Sequence, residues 1–233
     1  DYLPLYADAT ATHNINTPAS APGVICVGSS AYRTGIQNYK QEWVEFDFGE
    51  GGEIGRHSSI GPTMCGLTKP EVIAPGVNVI SSYSSYFMQH NPNDWNMQFD
   101  VRRFSFRGRE YAWNAQSGTS MSSPIVGGIL ALWLQVCPSL TREQALEVIA
   151  KTSKQRNKNI SYPNNTYGYG EIDAMAGVQY LLQNHAGVND MQHEKPFRIA
   201  RYDLSGRRIP LNAPYRGIYI EAYSDGSVQK RID

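Results

Sequence analysis

Residues 118–136 read GTSMSSPIVGGILALWLQV, a run of small polar residues followed by a long apolar segment. The apolar side chains recur at three- and four-residue steps from Ile125 to Val136, which is the spacing of one helix face. Leu132 and Leu134 widen that face. The sequence therefore predicts a helix that is buried nearly all round.

Ser120 stands where this helix is predicted to begin, a position that favours nucleophilic chemistry. The first N–H groups of a helix lack carbonyl partners and can bind a developing oxyanion, and the helix dipole stabilises negative charge there. Gly118 and Thr119 are the candidate substrate-contacting residues, because a glycine lets another chain approach closely. Pro124 is expected in the first turn, where its missing N–H costs nothing. The simpler interpretation is that Ser120 or Thr119 only caps the helix.

Short apolar runs and turn signals predict the other elements. Strands are expected at 24–28, 43–48, 71–74 and 78–81, with a hairpin at 99–106 and 110–114. Residues 84–98 predict a surface excursion, and the arginines at 102, 103, 107 and 109 are interpreted as the solvated face of the hairpin. Thr141 opens a capping box for a helix to about residue 152, and Asp173 could cap a third helix to about residue 184.

The chain is predicted to have two parts of different character. Residues 1–185 form the main domain, 186–196 a polar linker, and 197–233 a small antiparallel β-module with three short strands. Eight Lys/Arg and four Asp/Glu fall in residues 195–233, so this part is basic and the rest acidic. Over the whole chain 21 positive residues balance 21 negative ones, which argues against a general nucleic-acid binder.

Composition also excludes two other classes. The longest apolar run, residues 125–137, is shorter than the ~18–20 residues that span a bilayer, so no membrane span is predicted. Cys26, Cys65 and Cys137 have no metal-ligand spacing, which leaves a zinc site unsupported. Their odd number leaves at least one unpaired within the chain.

Five segments, taken together, resemble the subtilisin-like serine proteases and occur in the family's order. They are PASAPGVICVG (18–28), SSIGPT (58–63), KPEVIAPG (69–76), GTSMSSP (118–124) and YGEIDA (169–174). The resemblance implies an α/β fold, specifically the C-terminal portion of a three-layer fold around a parallel sheet. It also implies that Ser120 is the nucleophile, that the substrate is a peptide or protein, and that the protein is secreted or displayed at the cell surface.

Other family segments do not occur in this sequence. The catalytic Asp and His of the family lie in Asp-Ser/Thr-Gly and His-Gly-Thr segments, and the oxyanion Asn follows a Gly; this chain has none of these. We therefore expect an upstream segment to supply all three, and this chain alone to be inactive. His57 is a candidate base, but it falls where relatives carry an apolar or aromatic residue, so it is interpreted as structural.

Two further implications concern a cation and the tail. In relatives, carbonyls of the Pro-Ala loop can hold calcium or sodium, and Ala19, Ala21 and Val24 match those positions. No carboxylate cage is evident, so an empty solvated loop is the simpler interpretation, and no other cofactor is expected.

Residues 199–220 resemble short C-terminal β-modules of secreted Bacteroidetes-type proteins, some of which act as sorting signals.

Two other functions stay open at this point. An α/β-hydrolase of chain order Ser-Asp-His could use Ser120 with Asp173 or Asp190 and His185 or His193. Its nucleophile elbow, however, needs Gly two residues after the serine, and this chain has Ser there. A degenerate, non-catalytic protease fold used for binding is the third possibility, although it gives no reason for an intact nucleophile segment.

Overall fold

The computed structural model describes residues 12–184, 197–211, 214–223 and 227–232. The chain forms two compact units, Asp1–Ala186 and Gly187–Asp233, which are described separately. The linker predicted at 186–196 lies outside the described residues.

The first unit combines short strands with helices, as an α/β fold should. Its strands are β1 (Val27–Ala31), β2 (Gly35–Gln37), β3 (Trp43–Glu45), β4 (Glu53–Ile54), β5 (Val72–Pro75), β6 (Val79–Tyr83), β7 (Asp100–Phe106) and β8 (Arg109–Gln116). Its helices are α1 (Ser85–His90), a 3-10 helix (Trp95–Phe99), α2 (Thr119–Val136), α3 (Arg142–Thr152) and α4 (Ala174–Asn184). The predicted strands are present, with ends shifted by a few residues.

A mixed sheet of order β4-β1-β5 supports the main core. β1 and β5 are parallel, with Val27 opposite Val72, whereas β1 and β4 are antiparallel. Helices α2, α3 and α4 pack beside this sheet, and the fully buried Trp133 lies in the resulting cluster. Its indole N–H donates to the carbonyl of Ala174 at 3.1 Å, which satisfies the one polar atom of a buried tryptophan.

Helix α2 is buried on one side only, so the prediction of burial nearly all round was wrong. Its buried residues are Ser122, Val126 and Trp133, whereas Leu132 and Leu134 are 49% and 43% exposed. Periodicity reports which residues are apolar, but which of them are covered depends on what packs against the helix.

Pro124 also differs from expectation. It is the sixth residue of α2 and so lies in the second turn, not the first. There its missing N–H removes the bond to the Ser120 carbonyl four residues earlier, which makes the proline a real departure from regular helix geometry.

The caps of the next two helices confirm the sequence patterns. Thr141 and Gln144 form the predicted capping box, with each side chain accepting from the other residue's backbone N–H. Asp173 accepts from the N–H groups of Met175 and Ala176 at the start of α4. Both caps are local, which explains why sequence alone located them.

A second, antiparallel sheet has the order β6-β8-β7. One of its faces is covered by a small cluster in which Met88 of α1 and Met97 of the 3-10 helix pack on Ala112 of β8. The predicted surface excursion at 84–98 is therefore partly folded onto the sheet. The two short helices were missed because each is only about one turn long.

The second unit is a four-stranded antiparallel sheet of order β10-β9-β11-β12 in its described part. The strands are β9 (Arg198–Asp203), β10 (Arg208–Ile209), β11 (Ile218–Tyr223) and β12 (Val228–Ile232). Glu221 is buried on β11 and is paired with Arg198 and Arg231 from the two neighbouring strands. β10 was not predicted, because a two-residue strand leaves no alternation to detect.

Candidate active site

Ser120 lies in the first turn of α2, and its residue is exposed to solvent. The cap of the helix is Gly118, which makes no side-chain hydrogen bond, so neither Ser120 nor Thr119 serves as the cap. Within the described residues no side chain hydrogen-bonds the Ser120 hydroxyl. The simple capping interpretation is therefore wrong, and the hydroxyl is available at the helix N-terminus.

The backbone before Ser120 is fixed by Gly118. Its φ of 148° is a conformation that side-chain-bearing residues rarely adopt. The Gly118 N–H donates to the carbonyl of Gly76 at 2.7 Å, and its own carbonyl accepts from Met121 at 2.9 Å. The turn after β5 thereby anchors the start of α2, and the glycine is needed for its backbone angle.

Gly76 lies close to two buried serine hydroxyls, and this close packing fixes the position of the turn. A Cβ at Gly76 would lie 2.1 Å from Ser122 Oγ and 2.3 Å from Ser29 Oγ, so only glycine fits there. Both hydroxyls are buried and have no hydrogen-bond partner in the described part of the chain. The sequence does not reveal this role of Gly76, because the two serines come from residues distant in the chain.

The helix N-terminus is suited to hold negative charge. The N–H groups of Thr119 and Ser120 have no carbonyl four residues earlier within α2. The first turn contains no acidic residue that would offset the positive end of the helix dipole. A carbonyl oxygen beside Ser120 would therefore meet an N–H donor where negative charge is stabilised.

The described histidines do not pair with Ser120. The ring of His90 bonds the Tyr86 carbonyl, and that of His13 bonds Thr12. Both ring nitrogens of His57 are buried without a hydrogen-bond partner in the described residues, and its ring packs edge-on against Phe48 at 5.2 Å. Burial lowers the pKa of His57. These contacts agree with the structural interpretation of His57.

Asp173, the acid of the hydrolase alternative, is already engaged. The backbone N–H of Ala176 and the Lys154 ammonium, which lies 2.9 Å from the carboxylate, lower the pKa of Asp173. This carboxylate thus caps a helix and pairs with a lysine, and no bond in the described residues joins it to a histidine. Asp190, His185 and His193 lie outside the described residues.

A small cavity of about 140 Å³ lies beside the nucleophile segment. Thr119 forms part of its wall, as do Ile15, Thr17 and Ala19 of the preceding loop and Pro70 before β5. Thr119, a candidate substrate-contacting residue, thus lies beside an opening, and its substrate role stays a prediction.

A buried ammonium contacts the loop that carries the candidate cation ligands. Lys69 is 1% exposed, and its Nζ donates to the Val24 carbonyl at 2.6 Å and to Glu71 at 2.5 Å. The Ala21 carbonyl accepts from the Val24 N–H at 3.2 Å. The carbonyls of Ala21 and Val24 thus have donors, whereas no group in the described part of the chain donates to that of Ala19. Calcium or sodium binding there stays a prediction, and the described residues contain no His/Cys/Asp/Glu cluster suited to a metal.

The three cysteines are unpaired: Cys26 and Cys137 are buried, and Cys65 is exposed. Burial, followed by the nearby Glu71 carboxylate, raises the pKa of Cys26 to about 11.

α2 is long and apolar enough to cross a membrane by length and composition alone, a criterion that core helices of soluble proteins also meet.

Comparison with known proteins agrees with this geometry. The chain is 38% identical over 127 residues to serine protease AprX of Bacillus subtilis, covering 54% of this chain and 25% of AprX. It is 29% identical over 133 residues to the minor extracellular protease Vpr of the same species, covering 55% and 14%. The chain thus spans about a quarter or less of these relatives.

A solved structure and a family model give the broader assignment. The CspB protease of Clostridium perfringens matches 75% of this chain and 30% of its own, with a TM-score of 0.50 and 22% identity, which supports the fold. The Subtilase family model, peptidase S8, matches residues 7–170, which include the strand, turn and helix that position Ser120. On this evidence the chain belongs to the subtilase family.

Proposed function

We propose that this chain carries the nucleophile of a secreted or surface-displayed serine endopeptidase, and that Ser120 is that nucleophile. The observation that carries the proposal is an exposed hydroxyl in the first turn of α2, after a glycine that leaves the helix N–H groups uncapped. The family of the chain supports peptidase chemistry. The extracellular location rests on the name of the relative Vpr.

The proposed reaction follows the triad logic. A histidine takes the Ser120 proton as Oγ bonds to the scissile carbonyl carbon, and an aspartate orients that imidazole. The backbone N–H of Ser120 donates to the oxyanion, and Gly118 and Thr119 line the approach of the substrate. The histidine then protonates the amine as the C–N bond breaks, and water releases the acyl group from Ser120.

We further propose that the histidine, the aspartate and the second oxyanion donor come from polypeptide outside this sequence, completing a three-layer fold. Two observations support this. No histidine in the described residues bonds Ser120. Leu132 and Leu134, in the C-terminal half of the same helix, are exposed apolar side chains that lack a cover in the described residues. Alone, this chain should be inactive.

The hydrolase alternative has less support, because Asp173 is engaged in a helix cap and an ion pair. The second unit we interpret as a separate module, 197–233, whose resemblance to sorting modules remains a proposal.

The test is active-site labelling with a fluorophosphonate. In the precursor that contains the upstream polypeptide, the probe should label Ser120, and Ser120→Ala should remove both labelling and peptide hydrolysis. Ser123→Ala is the matched control, since Ser123 is an exposed serine three residues further along α2, and it should keep both activities.

The outcomes separate the alternatives. Labelling of the isolated chain that disappears in His185→Ala or His193→Ala would favour the hydrolase. An intact precursor that resists the probe would favour a non-catalytic binding protein.

A further inference from the structure

The β6-β8-β7 sheet has an unusual solvent face. Side chains that share a face alternate along each strand, and directly paired residues point to the same side. On β7 and β8 the pairs Arg102–Trp113, Phe104–Tyr111 and Phe106–Arg109 therefore lie on one face, opposite the face that Met88 and Met97 cover.

This face carries aromatic side chains although it is exposed. Phe104, Phe106 and Trp113 are 42%, 56% and 46% exposed, and the rings of Phe104 and Tyr111 stack at 5.6 Å. A solvated sheet face normally carries polar residues. Contiguous exposed aromatic side chains instead indicate a surface that binds something. We call Arg102, Phe104, Phe106, Arg109, Tyr111 and Trp113 the aromatic face.

The charge on the aromatic face indicates what it binds. Asp100 is buried and paired with Arg103, and Glu110 accepts from Ser105 on the opposite face. Arg102, Arg107 and Arg109 have no carboxylate partner in the described residues, and the Arg107 guanidinium lies over the Phe106 ring at 5.2 Å. A partner that combines apolar side chains with carboxylates would complement this surface.

The aromatic face is also close to Ser120 along the chain. Trp113 is three residues from the end of β8, about 10 Å along the strand, and α2 with Ser120 begins three residues later. At the Ser120 end of the sheet, Ile80 and Val101 border a cavity of about 570 Å³ with the exposed Trp43. An extended polypeptide cleaved at Ser120 could reach the face within a few residues.

From these observations we propose that the aromatic face is a substrate-binding exosite for acidic, apolar segments flanking the scissile bond of a protein substrate. The inference rests on the proposed function. Trp113 and Phe104 would contact the apolar side chains, and Arg102 and Arg109 the carboxylates. The exosite would select among substrates that share the same cleavage sequence.

The kinetic test uses the complete protease and two fluorogenic peptides that share one cleavage sequence. In the acidic peptide this sequence is flanked by an extension of Asp, Glu, Phe and Leu residues. In the lysine peptide the same extension carries Lys in place of Asp and Glu. We expect kcat/KM to favour the acidic peptide about tenfold or more at low salt, mainly through KM. Arg102→Glu with Arg109→Glu should bring this ratio to one or below. The control, Lys151→Glu with Lys158→Glu, reverses two exposed lysines outside the sheet and should keep the ratio.

A binding test separates this proposal from the proposed function. The Ser120→Ala protease should bind the labelled acidic peptide more tightly than the lysine peptide by fluorescence anisotropy, whether or not Ser120 is the nucleophile. Trp113→Ala should weaken that binding at unchanged circular dichroism. Equal binding of both peptides, or arginine variants that keep full discrimination between them, would overturn the exosite proposal. If the complete protease binds the acidic peptide selectively but cleaves neither peptide, only the proposed protease function would be overturned.

Discussion

Gly118 shows how one residue sets the geometry of the nucleophile. Its backbone lies at a φ of 148°, yet an added Cβ would meet nothing closer than 3.7 Å. The glycine is therefore required by backbone conformation and not by space. A residue with a side chain would have to leave this conformation and would move the N–H groups that follow it.

We expect Gly118→Ala to lower the free energy of unfolding by about 1–3 kcal/mol, because alanine is strained at this φ. Gly128→Ala is the matched control, since a Cβ there meets no atom within 4 Å and alanine favours a helix by up to ~1 kcal/mol. Urea unfolding of both variants gives the comparison. Equal stability of Gly118→Ala and the parent would mean that the turn adapts.

His57 makes stability depend on pH. Burial lowers its folded-state pKa below the ordinary value of about 6.5, so the unfolded ring takes up a proton first as pH falls. Stability should therefore be full above about pH 6.5 and decline as pH falls toward the lowered pKa. His57→Phe, which can pack against Phe48, should flatten this dependence in urea unfolding series. A parent protein equally stable at pH 7.5 and 5 would contradict the assignment.

At the scale of elements, α2 and α4 are held together by one close approach. A Cβ at Gly177 would lie 2.1 Å from Trp133 Cζ2, so the backbone of α4 at Gly177 packs directly against the indole ring. This contact joins two residues that are 44 positions apart in sequence, and the sequence pattern of neither helix predicts it.

Gly177→Ala should destabilise the protein by roughly 1–3 kcal/mol, because the fully buried indole has no room to move. Trp133→Leu should also destabilise it, by leaving a cavity. The double variant should lose less than the two single losses combined, since the smaller side chain gives the new methyl group space. Chemical unfolding of all four proteins gives the coupling, and strictly additive losses would show that the two sites are independent.

Local sequence patterns predicted where the helices and strands lie better than they predicted what packs against them. The capping box at Thr141 and the cap at Asp173 were found because each is complete within four residues. Ser120 was found as a motif at a predicted helix start. The exposure of α2 and the Gly76 contact were not found, because each depends on residues brought together from distant parts of the chain. The aromatic face was not found although its hairpin was predicted, because the hairpin pattern does not show which face other elements cover.

The exposed side of α2 matters most for the molecule as a whole. Leu132 and Leu134 of α2 are exposed, and so is Leu182 of α4, at 54%. We expect the isolated chain to bind an apolar fluorescent dye and to self-associate at micromolar concentration. Co-expression with the upstream polypeptide should suppress both, as followed by dye fluorescence and gel filtration. Leu132→Glu with Leu134→Glu should suppress them without that polypeptide. An isolated chain that stays monomeric and does not bind the dye would contradict this expectation.

The buried Lys69 supplies the Val24 carbonyl and the Glu71 carboxylate with a cation that is tethered to the chain, and a tethered cation cannot be diluted or chelated away. The melting temperature should therefore be the same in EDTA and in calcium. In Lys69→Met the vacated carbonyl and the Glu71 carboxylate would depend on ions from the buffer, so melting should occur at lower temperature and recover with added calcium or sodium, but not with choline. A parent protein that melts earlier in EDTA would show that the lysine does not replace a dissolved ion.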